Sequence, residues 1–430
     1  MKRSACTAVI GVVLATALAA CSGTDGGAGG SSTGSSSGKL VMRQFDPATE
    51  ISGLQTAVDT WNKQNPDTQV ELQTLSPANV QQFAREANGG SGPDIDVIGY
   101  TDVNFLAKPK ILLPLDDLMK RSPLEGSASD LLATDMVSVD KKMWALPWTA
   151  DTFALAYRPD ALQAAGVDGP PTTWEELATD AAKISSSSGG KTTGFCFAGA
   201  AAPTSAQWFA INYYLWSKGS GLIEKDSAGK QKPKATTQQL TSAIDYFAKL
   251  FTTGATPKSF QAVEAYTDPS IVGGLASGSC AISYLPPQTL RSVEKQAPGK
   301  VLTAPMPDGT TDGATHLGGR ALGINANTKN AEGAWKVIKF LASATTFSTY
   351  NQYPASKSTL AALKVPESEK GYVQQLPHSQ SFGRYIGSQM TIASIQQLVN
   401  QQFSSVYSGQ TSSSAAAQAI VDGLARGTGG

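Results

Sequence analysis

Residues 144–177, WALPWTADTFALAYRPDALQAAGVDGPPTTWEEL, set a strand, a short helix, a stiff turn and a second helix end to end. Phe153, Leu155 and Tyr157 alternate between polar Asp151 and Arg158 as a strand requires. Pro159 opens a short helical segment that stops at Gly166. Pro170-Pro171 stiffens the turn, and Thr172 with Glu175, or Thr173 with Glu176, makes a capping box for the next helix. The same alternation runs upstream. Residues 39–45 read as a strand. Residues 50–65 read as a helix with Ile51, Leu54, Val58 and Trp61 on one face, halted at Asn65-Pro66. Val70, Leu72 and Leu75 form the next strand, Ser76 and Pro77 open a helix that Gly89-Gly90 closes, and residues 95–99 form a buried strand. Further helices are predicted over 238–251 and 331–342. Strand and helix in alternation argue for a largely parallel sheet covered by helices.

The first residues act as an address. Lys2 and Arg3 precede an apolar run over 8–18 that is too short to span a bilayer. The run ends in Leu18-Ala19-Ala20-Cys21, which resembles a bacterial lipobox; the alternative is an ordinary secretory signal that ends near a cysteine. In the first case residues 1–20 are a signal peptide and Cys21 carries lipid. Residues 22–38 are almost entirely Gly, Ser, Thr and Ala, a solvated tether with a typical reach of roughly 20–25 Å. The remaining roughly 390 residues exceed what one hydrophobic core usually supports, so two lobes are expected. Without Lys2 and Arg3, 32 basic residues face 34 acidic ones. No basic excess exists to attract nucleic acid. Charged residues make up only 16% of the chain, a surface suited to a neutral polar ligand. Beyond the signal and the lipid site, Cys196 and Cys280 remain, both within predicted strands; they form either a disulfide or two buried thiols.

Taken in order, these segments resemble family 1 extracellular solute-binding proteins, the sugar-capturing components of ABC importers. The resemblance rests on Pro147, Tyr157-Arg158, Ala165-Gly166-Val167 and Pro171-Thr172-Thr173-Trp174-Glu175-Glu176-Leu177. It continues in Gly92-Pro93-Asp94-Ile95-Asp96-Val97, in Leu112-Leu113-Pro114-Leu115-Asp116-Asp117-Leu118, and in Gly318-Gly319-Arg320-Ala321-Leu322-Gly323-Ile324 followed by Ala334-Trp335 and Phe340-Leu341. Arg158 stands where the family usually has Asn. The resemblance implies an α/β, two-lobed periplasmic-binding-protein-like fold of class II, with the ligand cleft between lobes joined by a hinge of several crossovers. Mapped onto this chain, the first lobe holds residues 39–147 and 310–350, and the second holds 148–309 and 351–430. Crossings are expected near residues 147–151, 307–318 and 350–354.

A sugar presents hydroxyls around weakly apolar faces, and a site for one needs aromatic platforms with carboxylates, amides and Arg beside them. In open α/β sheets such groups come from loops at the carboxyl ends of strands. That rule, with the family's cleft segments, selects Tyr100, Asp102, Trp148, Asp151, Gln207, Trp208, Tyr284, Gly318, Gly319, Arg320 and, more weakly, Arg384. Glu264, before Tyr266, is weaker still. Each has an ordinary structural alternative: Trp148 and Trp208 as core, Gly318-Gly319 as a turn. Trp61, Trp174 and Trp335 fit apolar helical stripes and belong to the core, leaving Trp144, Trp148, Trp208 and Trp216 for the cleft. Gly318-Gly319 would let backbone approach a ligand closely.

Enzymatic readings find little support. The chain has two histidines, His316 and His378, and no HExxH, nucleophile elbow or P-loop. No cofactor and no metal are expected. The resemblance implies a receptor on the outer face of the bacterial cytoplasmic membrane, held only by its lipid. A monomer is expected, capturing a di- or oligosaccharide by lobe closure and delivering it to an ABC permease. The alternatives are the same fold binding a glycerophosphodiester or a polyamine, or an exported carbohydrate hydrolase, whose paired carboxylates need no motif.

Overall fold

The computed structural model describes residues 38–46, 51–75, 80–226, 230–308, 314–385 and 390–428, apart from the Arg384 side chain. The signal segment and Cys21 lie outside the described residues. In chain order the strands that matter are β1 (Leu40–Gln44), β2 (Val70–Thr74), β3 (Ile95–Gly99), β4 (Ala145–Asp151), β5 (Ala154–Tyr157) and β6 (Thr193–Phe195). They continue as β7 (Cys280–Leu285), β8 (Leu302–Ala304), β9 (Thr315–His316), β10 (Gly318–Ile324), β11 (Tyr353–Pro354) and β12 (Ser379–Gln380).

Two sheets result. The first has the order β11-β4-β10-β3-β1-β2, the second β8-β5-β7-β6. In the first, β2, β1 and β3 are mutually parallel, and β10 returns antiparallel between β3 and β4. Because β4 is antiparallel to β10, it runs in the same direction as β1 and β3. The carboxyl ends of β1, β3 and β4 and the start of β10 therefore meet at one edge of the sheet. This edge is where an open α/β sheet offers a binding crevice.

The helices follow the sequence signals closely. Leu54–Gln64 buries Leu54, Ala57, Val58 and Trp61 and stops at Asn65. Thr173, rather than Thr172, is the cap of Trp174–Ser187: its hydroxyl accepts from the Glu176 amide, and the Glu176 carboxylate accepts from the Thr173 amide. Thr236 and Gln239 build a second capping box at Thr237–Thr252. Trp61, Trp174 and Trp335 are core residues, as their stripes predicted. Cys196 and Cys280 are bonded, their Cα atoms 6.1 Å apart, which ties the edge strand β6 to β7.

The structure moves the expected lobe boundaries. β4 stays in the first sheet through Asp151, so the lobe boundary expected after residue 147 moves to residues 151–154, at the far end of the expected crossing. β11 pairs with β4, Tyr353 opposite Ala150 and Pro354 opposite Thr149, so this stretch belongs to the first sheet, not the second lobe. The chain still touches the first lobe at Ser356 and Ser358, both bonded to Asp130, and reaches the second sheet where Gly371 donates to Thr303. Hydrogen-bond ladders explain both shifts: a strand keeps its sheet until its backbone groups run out of partners. A cavity of about 630 Å³ opens between the lobes, walled by Asn104 and Met136 on one side and Gln380 and Ser381 on the other.

Beneath the first sheet's cleft edge lies a charged cluster. Arg43 on β1 donates to Glu86 at 2.8 Å and to Asp96 on β3 at 3.4 Å. One guanidinium serves two carboxylates, and it sits nearer to Glu86. Burial pushes the Asp96 carboxyl up to about 7, only partly offset by Arg43 and reinforced by the negative charge of Glu86. The folded state thus holds a proton on Asp96 that the unfolded chain releases at ordinary carboxylate values. This group's contribution to stability is fully present below that range and is lost as pH rises toward 7. Asp96→Asn is expected to abolish this loss, on the order of 1–3 kcal/mol, seen as a flatter urea midpoint between about pH 4 and pH 8.

Candidate functional site

Three strand ends bring three carboxylates to the shared edge. β1 runs into Phe45 and Asp46, β3 into Tyr100 and Asp102, and β4 ends on Asp151. From β10, Arg320 forks onto Asp46, Nη2 to Oδ1 at 2.7 Å and Nε to Oδ2 at 3.0 Å, with its guanidinium 4.8 Å from the centre of the Phe45 ring. The Arg320 amide donates to the Thr149 hydroxyl at 3.1 Å, fixing the arginine against β4. A recess of about 20 Å³, room for roughly one water, lies beside it between Arg43, Phe45, Gly99 and Asp102.

The carboxylates differ in character. Burial raises the Asp102 carboxyl, and Arg320 offsets only part of that. Burial would raise Asp151 as well, but the nearby His316 and Arg320 outweigh it and hold that group below its usual value. His316 on β9 places Nε2 3.7 Å from Asp151 Oδ1. Its Nδ1 meets the Tyr213 hydroxyl at 2.6 Å.

Around His316 the second lobe supplies aromatic rings. Phe209 lies 5.1 Å away, Phe153 5.2 Å, and Phe382 stacks at 5.6 Å. Tyr266 meets Phe153 edge-on at 5.0 Å. Phe45, Phe209, Tyr266 and Phe382 are all part-exposed, so their rings have area left to offer a ligand.

The expected site residues divide sharply. Asp102, Asp151 and Arg320 converge at the edge, and Gly318 and Gly319 lie among them. The two glycines act on protein rather than ligand: a Cβ on Gly318 would fall 2.1 Å from Asp151 Oδ1, and one on Gly319 would fall 1.9 Å from the Thr149 carbonyl oxygen. Tyr100 is buried, its hydroxyl donating to the Thr149 carbonyl at 2.7 Å, so it clamps β3 to β4. Trp148 is 1% exposed, packs on Phe347 and Tyr350, and donates to the Leu341 carbonyl. Trp208 stacks on Phe382 from behind, and Tyr284 donates to the Ala206 carbonyl under Phe153. Gln207 is wholly buried and donates to Ala200 and Ser404. Trp144 and Trp216 are buried too. Trp148, Trp208, Tyr284 and Gln207 thus support the site without reaching it, and the Arg384 side chain lies outside the described residues. Glu264 is exposed, two residues from Tyr266.

Sequence reasoning passed over Phe45, Asp46, Phe209, Tyr266, His316 and Phe382. The strand-end rule, applied to β1 as it was to β3, would have found Asp46. Among the described residues no group of three or more His, Cys, Asp or Glu is placed to hold a metal ion, and no helix is long and apolar enough to cross a membrane.

The family model described as "Bacterial extracellular solute-binding protein" matches residues 47–346. Among curated relatives, a binding protein of Brucella abortus is 27% identical over 61% of this chain and 61% of its own length. An ABC transporter-binding protein of Deinococcus radiodurans is 29% identical over 66% of this chain and 67% of its own. The chain thus spans about three fifths to two thirds of the relatives it matches. Solved structures agree in fold. The sugar-binding protein MalE from Xanthomonas citri has a TM-score of 0.72 at 20% identity, covering 91% of this chain and 98% of that one. The cyclic alpha-maltosyl-1,6-maltose binding protein from Arthrobacter globiformis reaches 0.74 at 17% identity with the same coverages. UgpB from Mycobacterium tuberculosis, in complex with glycerophosphocholine, reaches 0.69 at 18%, covering 90% and 98%. With two sheets, a crossover hinge and a family match over most of its length, this chain belongs to the bacterial extracellular solute-binding proteins.

Proposed function

We propose that the protein is the extracytoplasmic receptor of an ABC importer and that it captures a di- or oligosaccharide between its lobes. The observation that carries this reading is the make-up of the edge: the part-exposed carboxylates of Asp102 and Asp151 lie at one sheet edge, and the part-exposed rings of Phe209 and Phe382 gather around His316 beside Asp151, with Tyr266 on the neighbouring Phe153. Carboxylates accept from sugar hydroxyls in strong charge-assisted bonds, and the rings cover the apolar C–H faces. Arg320 is already forked onto Asp46, and Arg43 in the adjoining recess onto Glu86 and Asp96, so both guanidinium groups are engaged before an anionic ligand arrives. That favours a neutral sugar over a glycerophosphodiester. Closure of the lobes buries the ligand, and the closed form is the one a permease would engage, provided the ligand binds it more tightly than the open form. Lipid on Cys21 would keep the receptor at the outer face of the membrane, as a monomer beside its permease.

Calorimetry tests the reading. Purified protein is titrated with maltose, maltotetraose, trehalose, glycerophosphocholine and spermidine. Saturable heat is expected with at least one sugar, and Asp151→Asn should weaken it about 10- to 100-fold, as for a lost charged hydrogen bond. Heat confined to glycerophosphocholine or spermidine would overturn the sugar assignment. Release of reducing ends from the oligosaccharides would overturn the receptor assignment.

A further inference from the structure

His316 is held in a way that a packing residue does not need. It lies on β9, a two-residue strand that joins the first-lobe strand β10 to β12 by parallel pairing. Its ring is buried among Phe209, Phe153 and Phe382, yet both ring nitrogens meet polar atoms. Nδ1 faces the hydroxyl of Tyr213, on the second-lobe helix Gln207–Ser217, at 2.6 Å. Nε2 faces Oδ1 of Asp151, at the end of first-lobe strand β4, at 3.7 Å.

Direction follows from chemistry. The Tyr213 phenol is buried, and burial together with the neighbouring Tyr284, Asp151 and Tyr266 drives its ionisation well above the ordinary range, so it carries its proton. A buried hydroxyl must place that proton on an acceptor. His316 Nδ1 is the acceptor in reach. Nδ1 then keeps its lone pair, and the ring's own proton sits on Nε2, pointed at Asp151. Gly318 completes the arrangement, because a Cβ there would fall 2.1 Å from Asp151 Oδ1 and 3.3 Å from His316 Nε2.

We propose that Tyr213 and His316 form a proton-ordered relay that holds Asp151 as a charged acceptor facing the cleft, making His316 a positioning residue for ligand capture. The relay selects ligands by what they bring to Asp151: a hydroxyl or amine donor fits, whereas a carbonyl, ether or phosphate oxygen meets a like lone pair. The ligand's contact with Asp151 rests on the sugar-receptor reading; the order of protons along the relay does not.

The experiment therefore begins without ligand. The chain has two histidines, so ¹⁵N spectra of the full-length mature protein labelled at histidine contain two rings, and His378→Asn assigns them. At neutral pH the His316 ring should show an unprotonated Nδ1 bearing a hydrogen bond and a protonated Nε2. In Tyr213→Phe the Nδ1 partner is gone, and the signals should move toward a tautomer mixture. The Asp151 carboxyl, followed by ¹³C, should titrate higher in Tyr213→Phe than in the unaltered protein. With maltose as the probe sugar, Tyr213→Phe should bind about tenfold more weakly. A protonated Nδ1 at neutral pH overturns the relay, and so does an Asp151 titration that Tyr213→Phe leaves in place. If maltose and the other sugars give no heat even with the unaltered protein, the sugar reading fails, while the nitrogen and carboxyl spectra still decide the relay.

Discussion

Arg291→Leu is expected to cost about 3–5 kcal/mol of stability, the penalty for stranding one charge of a buried pair. Arg291, on helix Pro287–Gln296 of the second lobe, forks onto Glu369 with both bonds at 2.7 Å. It also donates to the Asn351 carbonyl and lies 5.8 Å from the centre of the Tyr353 ring. Tyr353 on β11, the edge strand of the first sheet, donates its hydroxyl to the same Glu369 carboxylate. Glu369 is 6% exposed, so water cannot replace the arginine. The double variant Arg291→Leu/Glu369→Leu should recover part of the loss, because no charge is then left unpaired and only the Tyr353 hydroxyl and the Asn351 carbonyl lose a partner. Urea unfolding of the two variants makes the comparison. Equal destabilisation of single and double variants would show that packing, not charge, is what the pair contributes. The network joins the first sheet's edge to the second lobe, so the single variant should also change ligand affinity.

The sequence shows its local devices well and its long-range meetings poorly. A capping box is written in four consecutive residues, and Thr173 with Glu176 needed only a choice between adjacent threonines. The alternating strands and helices before residue 100 predicted the parallel half of the first sheet for the same reason. Trp148 was harder. β4 is buried on both faces, so its alternation carries no mark of which side faces the cleft, and the tryptophan turned inward onto Phe347 and Tyr350. Trp208 and Gln207 met the same difficulty on a helix in which nine of eleven residues are buried. His316 and Phe382 were out of reach for a different reason. They stand 66 positions apart and are joined through β9 and β12, two-residue strands too short to show any period. Where chemistry depends on such a pairing, spacing along the chain is silent. The disulfide lies between these cases: compartment and strand context raised it, and the adjacency of β6 and β7 decided it.

Gly319→Ala is expected to cost on the order of 4 kcal/mol or more, at the extreme of single substitutions. Gly319 has a φ of 132°, in the range that a Cβ disfavours. The new methyl would lie 1.9 Å from the Thr149 carbonyl oxygen and 2.8 Å from its carbon. These are backbone atoms of the paired strand, so no side chain can swing aside to make room. β10 and β4 must separate, beside the irregularity already present between Arg320 and Ala321. The damage reaches the cleft, because the same ladder sets Gly318 opposite Asp151 and lets Arg320 donate to Thr149. Loss of stability and loss of sugar binding should therefore appear together. Gly273→Ala supplies the contrast: its Cβ meets nothing within 4 Å inside helix Pro269–Ser277, and the change should stabilise by about 0.5–1 kcal/mol without altering affinity. If Gly319→Ala melts like the unaltered protein and binds as tightly, the close β4–β10 contact is not what places Asp151 and Arg320.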